Sequence, residues 1–180
     1  MLLYAAEFSA RKSQSVVIRA LSQLPEYVWL ALPGEGALRE ECRELARKLG
    51  VGGRVLFPGQ VQDIPAWCAM ADGAVSASRS EGLPFNIMEA MYAGLPVVAS
   101  DVKGHADLIK DGVMGLLYPY GDERACAEQI LRLVKSGRLR LELSRAARES
   151  VEQYRLERVL PVVWGRYAEL YAASRHMVRQ

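Results

Sequence analysis

Short apolar runs alternate with amphipathic stretches along most of the chain. Leu2-Leu3-Tyr4-Ala5 is a bounded apolar run and predicts a first strand. Residues 14–24 then place Val16, Val17, Ala20, Leu21 and Leu24 on one helical stripe. A second strand is predicted over 27–32, broken by Pro33-Gly34, and a second helix over 37–48 turns Leu38, Cys42 and Leu45 inward. Residues 54–57 predict a third strand, ended by the turn Pro58-Gly59-Gln60-Val61. A short helix at 64–70 leads to a fourth strand at 73–77. Ile87, Met88, Ala90 and Met91 then mark a helix that Gly94 and Pro96 stop. Val97-Val98-Ala99 is β-branched and bounded, hence a buried fifth strand, and residues 115–118 predict a sixth after a short helical turn. Helices are expected at 123–135, 138–152 and 155–173, with Pro161 kinking the last or resetting its start.

Alternating strands and helices imply a parallel sheet covered on both faces, with right-handed crossovers. The expectation is a doubly wound, Rossmann-like α/β domain of about six strands in the order 3-2-1-4-5-6. The 180 residues suit one such domain over 1–180. A formal charge of +2 is too small to argue for nucleic acid. Cys42, Cys68 and Cys126 are odd in number and widely spaced, without zinc or disulfide spacing. They read as core thiols in a reduced, cytoplasmic setting. No leader is visible, and no stretch approaches the roughly 18 apolar residues of a membrane span.

Candidate chemistry lies at the predicted strand ends, where open α/β sheets bind ligands. The turn after the first strand, Ala6-Glu7-Phe8-Ser9-Ala10-Arg11-Lys12, contains no glycine, which argues against an NAD or FAD site. It offers Arg11 and Lys12 close to a helix start, a phosphate-friendly arrangement. After the fourth strand come Glu81-Gly82-Leu83-Pro84-Phe85-Asn86 and, eight positions beyond the first glutamate, Glu89. Backbone N–H groups at that helix start favour an anion. A carboxylate repels phosphate but accepts hydrogen bonds from sugar hydroxyls. Two glutamates flanking a phosphate-friendly helix start thus suggest a nucleotide sugar. Taken singly, Glu81 reads as easily as a helix-start carboxylate, and Glu89 as a solvated helix residue. No Asp-x-Asp occurs, so a metal bridging the diphosphate is not expected.

Glu81, Glu89-Ala90-Met91 and Gly94-Leu95-Pro96-Val97-Val98 together resemble the donor-binding signature of family-4 retaining glycosyltransferases of the GT-B fold. The resemblance covers nearly the whole chain but only the C-terminal half of such an enzyme. It implies a domain that binds a nucleoside-diphosphate sugar, with UDP the first guess, for polysaccharide, lipopolysaccharide or glycolipid synthesis. It implies that Lys12, helped by Arg11, grips the diphosphate. Glu81 would meet hexose hydroxyls and Glu89 ribose hydroxyls. Lys12 and Glu81 would be the groups closest to the chemistry. Leu83, Phe85 and Asn86 would line the donor at the helix start, and Gly59 and Val61 would lie under the base. No cofactor is implied. The expected partner is an N-terminal acceptor-binding domain toward which the helix at 155–173 reaches. Without it, the 180 residues are expected not to transfer sugar.

Two departures stand out. Many members carry Gly-Arg where this chain has Ala6-Glu7, reversing a charge beside the diphosphate. The loop Asp101 to Ile109 resembles another family segment, with Asp107 where Glu is usual, and His105 within it reads as a loop residue without a role more readily than as one facing the donor. Arg132, Lys135, Arg138, Arg140, Arg145 and Arg148 make a basic region. Interspersed glutamates favour a solvated surface over peripheral contact with the inner face of a membrane. Three other readings stay open: a non-catalytic nucleotide-sugar module with a separate partner chain, a GT-B type epimerase, and a degenerate domain that binds nothing.

Overall fold

The structure, a computed structural model, describes residues 1–177, with side chains through 171. Six parallel strands form one sheet: β1 Leu2–Leu3, β2 Leu30–Pro33, β3 Val55–Gly59, β4 Gly73–Ser76, β5 Val97–Asp101 and β6 Leu116–Pro119. Their order is β3-β2-β1-β4-β5-β6, as the alternation predicts. Helices α1 Gln14–Leu21, α2 Arg39–Lys48, α3 Ile64–Met70, α4 Phe85–Tyr92, α5 His105–Leu108 and α6 Glu123–Lys135 cover the faces. Helices α7 Gly137–Val151 and α8 Leu156–Met177 close the chain.

Successive strand residues point to opposite faces and so divide the core in two. Leu2, Leu30, Val75 and Val98 pack beneath α1 and α6, with Ile18, Leu21 and Ile130. Leu3, Ala31, Ala74, Val97 and Ala99 pack beneath α4, with Ile87 and Met91. Both faces being covered explains why the strands read as continuous apolar runs rather than alternating ones. The three cysteines are buried and unpaired, and burial pushes the Cys42 and Cys126 thiols up to about 11 and about 12.

Several boundaries differ from the sequence expectation. The first strand stops at Leu3, although Tyr4 and Ala6 still donate backbone hydrogen bonds to Ala31 and Pro33, at 2.9 and 3.0 Å. The second starts at Leu30, because a turn closed by the Val28 N–H on the Pro25 carbonyl removes residues 27 and 28 from the ladder. Pro161 lies inside α8 rather than resetting its start. Helix α8 carries the face expected to reach toward an N-terminal domain, and that face is exposed. Its one substantial packing neighbour among the described elements is the 3-10 turn Glu152–Tyr154. Leu156, Leu160, Trp164, Tyr167 and Leu170 are all more than half exposed.

Candidate functional site

Ligand-facing loops gather at the C-terminal edge of the sheet. The loop after β1 lies against the loop after β2, with Phe8 donating its N–H to Glu35 O at 2.8 Å. Gly34 is required for this approach: its φ is +144°, and a Cβ there would sit 2.0 Å from the Ala6 carbonyl oxygen. The chain then enters α1 through Ser13, whose φ of 49° is left-handed and whose hydroxyl donates to Ala10 O at 3.0 Å.

That loop delivers Lys12 and Arg11 to Glu81, which stands in the loop after β4. Lys12 Nζ donates to one carboxylate oxygen of Glu81 at 2.5 Å, and Arg11 donates to the other at 3.0 Å. The Glu81 side chain is 5% exposed and that of Lys12 11%, whereas Arg11 is 52% exposed. Burial alone would raise the Glu81 pKa, but the Lys12 and Ser78 hydrogen bonds and the charges of Lys12 and Arg11 lower it overall. Sequence reasoning puts the cations on a diphosphate and Glu81 on a sugar. The structure brings all three together as one ion cluster.

Beyond Glu81 the α4 start is open. Pro84 caps it without a side-chain hydrogen bond, and Phe85 directs its N–H back to Leu83 O at 3.0 Å. Leu83 and Phe85 are exposed at 45% and 66%. Asn86 lines a narrow gap with Ala5 and Ile64. Glu89 opens onto a cleft of about 350 Å³ between α3 and α4, with Ile64, Pro65, Cys68, Tyr92 and Arg148. Among the described residues no hydrogen bond or ion pair joins it to Glu81, so the two glutamates serve different surroundings. Gly59 sits at the far end of β3, its carbonyl accepting the Gly34 N–H at 2.8 Å, and Val61 follows half-buried. Neither contacts the ion cluster. A further cleft of about 370 Å³ between α1 and α2, lined by Ser9, Arg19, Glu41 and Lys48, contains neither Lys12 nor Glu81. Among the described residues no three His, Cys, Asp or Glu side chains converge as a metal-holding group.

His105 is the residue that sequence reasoning undervalued. It is fully buried, and its Nδ1 lies 2.9 Å from Ser100 O. Gly104, at φ +90°, packs so close that a Cβ would lie 2.4 Å from the Glu81 carbonyl oxygen. The hydroxyls of Ser76, Ser78 and Ser100 are buried alongside. The one available signal was three serines at strand ends that are otherwise apolar.

The two glutamates should respond to pH with opposite signs. Glu81, with its pKa lowered from 4.5, contributes stability above that value and loses it as pH falls through the folded pKa. Burial raises the Glu89 pKa from 4.5, so its contribution is full below 4.5 and is lost as pH rises through the folded pKa. Glu89→Gln should therefore raise the melting temperature at pH 7, only slightly because the side chain is largely open to water. It should leave it unchanged at pH 3.5. Calorimetric scans at the two pH values check this, and a lower melting temperature at pH 7 would refute it.

A family model described as "Glycosyl transferases group 1" matches residues 1–150. EpsD of Bacillus subtilis (strain 168) is 33% identical over 180 residues, covering 98% of this chain and 46% of EpsD. The lipopolysaccharide core biosynthesis glycosyltransferase LpsE of Rhizobium meliloti (strain 1021) is 33% identical over 152 residues, 84% of this chain and 44% of LpsE. The chain thus spans about half the length of the curated relatives it matches. Among solved structures, Anabaena HepE in complex with UDP and glucose superposes with a TM-score of 0.86 at 27% identity, covering 96% of this chain and 48% of HepE. A sucrose-phosphate synthase from Thermosynechococcus elongatus gives 0.89 at 28% identity, over 96% and 45% of the two chains. With the family matched over most of its length and the same sheet found in these solved structures, the chain belongs to the group 1 glycosyl transferases of GT-B type, and so to an enzyme family.

Proposed function

We propose that this chain is the donor-binding half of a family-4 retaining glycosyltransferase and that its donor is a UDP-sugar. The observation that carries the reading is the Lys12–Glu81–Arg11 cluster at the C-terminal edge of the sheet. HepE, of the same fold, was solved with UDP and with glucose, which supports the choice of donor. Lys12 and Arg11 bind the diphosphate, and the Asn86 N–H at the start of α4 adds to them. Glu81 then turns its oxygens to hexose hydroxyls, and Glu89 in the α3/α4 cleft takes the ribose. Leu83, Phe85 and Asn86 flank the donor, and the turn carrying Gly59 and Val61 supports the base. The reaction is glycosyl transfer with retention at the anomeric carbon. Charge developing on the departing nucleoside diphosphate is stabilised by fixed cations and the Asn86 N–H. No metal takes part in this reading. The acceptor side belongs to a second domain, and the products are polysaccharide, lipopolysaccharide or glycolipid. We place the enzyme in the cytoplasm. No helix among the described residues is long and apolar enough to cross a membrane.

Charge-assisted hydrogen bonds contribute on the order of 1.5–3 kcal/mol each. Three or four of them, less the cost of association, give micromolar to millimolar affinity. In a chelator, saturating UDP or UDP-glucose at about a hundred times Kd should stabilise the fold by roughly 2.7 kcal/mol. Glu89→Ala should weaken both ligands alike, since both carry ribose. A thermal-shift series with UDP-, GDP- and ADP-sugars makes the test. No shift with any nucleotide at millimolar concentration would overturn the reading.

A further inference from the structure

The buried groups behind the ion cluster form a continuous network that no donor can touch. Tyr4 is 1% exposed, and its hydroxyl donates to the Lys12 carbonyl at 2.6 Å. The phenol has a single proton, so its oxygen accepts in the 3.2 Å contact with Ser78 Oγ. Ser78 stands three positions before Glu81 and so ties Tyr4 to the loop that carries it. From the other side, Ser100 Oγ donates to the Ser78 carbonyl at 2.6 Å. That hydroxyl proton is thereby taken, and a carbonyl can only accept. His105 Nδ1 therefore carries the proton that faces Ser100 O at 2.9 Å and Ser100 Oγ at 3.2 Å. The imidazole is thus fixed as one tautomer, with Nε2 buried and unpartnered among the described residues.

We propose that Tyr4 and His105 are positioning residues of the donor site, holding the Lys12 backbone and the Glu81 loop in mutual register from β1 on one side and β5 on the other. The inference rests on the donor-binding reading above and deepens it. Ser78, Ser100 and His105 are each 0% exposed, so they act on a ligand only through Lys12 and Glu81. Three separate elements converge on one loop. Arg79 N–H on Arg11 O at 2.7 Å and the close approach of Gly104 to Glu81 tie it further. Hydrogen bonds in a buried network support one another, so losing one hydroxyl loosens the rest. A displacement of an ångström or less at such a site is enough to weaken function.

Four variants test this by calorimetric titration of UDP-glucose, with ligand-free melting measured alongside. Tyr4→Phe keeps the ring and removes the hydroxyl, and should weaken UDP-glucose about five- to tenfold. Tyr118→Phe is the control. It also removes a buried hydroxyl, donated to Ser76 O at 3.0 Å, but one that touches neither the Lys12 backbone nor the Glu81 loop directly. It should lower the melting temperature about as much and leave affinity unchanged. His105→Asn keeps a donor for Ser100 O and should retain binding, whereas His105→Leu should lose as much as Tyr4→Phe. If His105→Leu does not fold, the comparison of the two tyrosine variants carries the test. Equal affinity losses in Tyr4→Phe and Tyr118→Phe, or no loss in either, would overturn the proposal, as would His105→Asn binding as weakly as a folded His105→Leu. Failure of the unsubstituted chain to bind UDP or UDP-glucose is a different result. It would overturn the donor-site reading itself, and this inference with it.

Discussion

Glu81→Ala should tighten UDP severalfold while weakening UDP-glucose more than tenfold. Two opposed effects decide the signs. In the structure Glu81 occupies both cations, at 2.5 Å to Lys12 and 3.0 Å to Arg11. A diphosphate must take those cations from it, so removing the carboxylate removes a competitor. UDP alone gains by this and loses nothing, because it has no hexose. UDP-glucose gains the same release but loses the acceptor for its hexose hydroxyls. Charge-assisted hydrogen bonds are each worth about 1.5–3 kcal/mol, and two of them exceed the relief of a pair that is half open to water on the Arg11 side. Lys12→Ala should weaken both ligands, most strongly at low salt. The Glu81 variant should also lose the acid-dependent part of its stability, since the lowered carboxyl stabilises the fold only above its own pKa. Titration of both variants with both ligands settles the assignment. Equal losses for UDP and UDP-glucose in Glu81→Ala would remove the hexose role of Glu81.

That opposition was not legible in the sequence, although the residues were. Glu81 and Glu89 stand out by spacing, and Arg11-Lys12 by standing in a glycine-free turn. Strand order was legible because apolar runs alternate with amphipathic ones, and right-handed crossovers leave few arrangements. The inward turn of the Glu81 side chain depends on a contact across 69 positions, which no local pattern reports. The same holds for Ser78, Ser100 and His105. A serine in an apolar strand looks like a tolerated small residue until its partner is seen. Tyr4 reads as a strand residue from its hydrophobicity, which gives no sign of its hydroxyl's hydrogen bond to the Lys12 carbonyl. Strand ends slipped where a turn competed with the ladder, as at Pro25 to Val28. For α8, periodicity gave the helix correctly but carried no information about what its apolar face would meet.

Transfer of sugar by these 180 residues should be undetectable and should appear when a matching acceptor-binding domain is supplied in trans. The chain covers 46% of EpsD and 48% of HepE, so the relatives carry about as much chain again. A donor cleft with one wall neither positions an acceptor nor excludes water. Positioning two reactants accounts for roughly 7–11 kcal/mol of a barrier, and its loss takes turnover below measurement. In the reading proposed above, helix α8 is where the other wall would dock. Leu156, Leu160, Trp164, Tyr167 and Leu170 expose a run of large side chains that a chain of this size does not ordinarily leave to solvent. Covering Trp164, now 73% exposed, should shift its fluorescence to the blue when the second domain binds. Trp164→Ala should weaken that association by tenfold or more, as buried aromatic anchors do, while leaving UDP binding to this chain unchanged. The assay is radiolabelled transfer from UDP-glucose with and without the added domain, read beside the tryptophan spectrum. Robust retaining transfer by the 180-residue chain alone would refute the two-wall requirement. Restored transfer without a change at Trp164 would keep the requirement and move the docking surface away from α8.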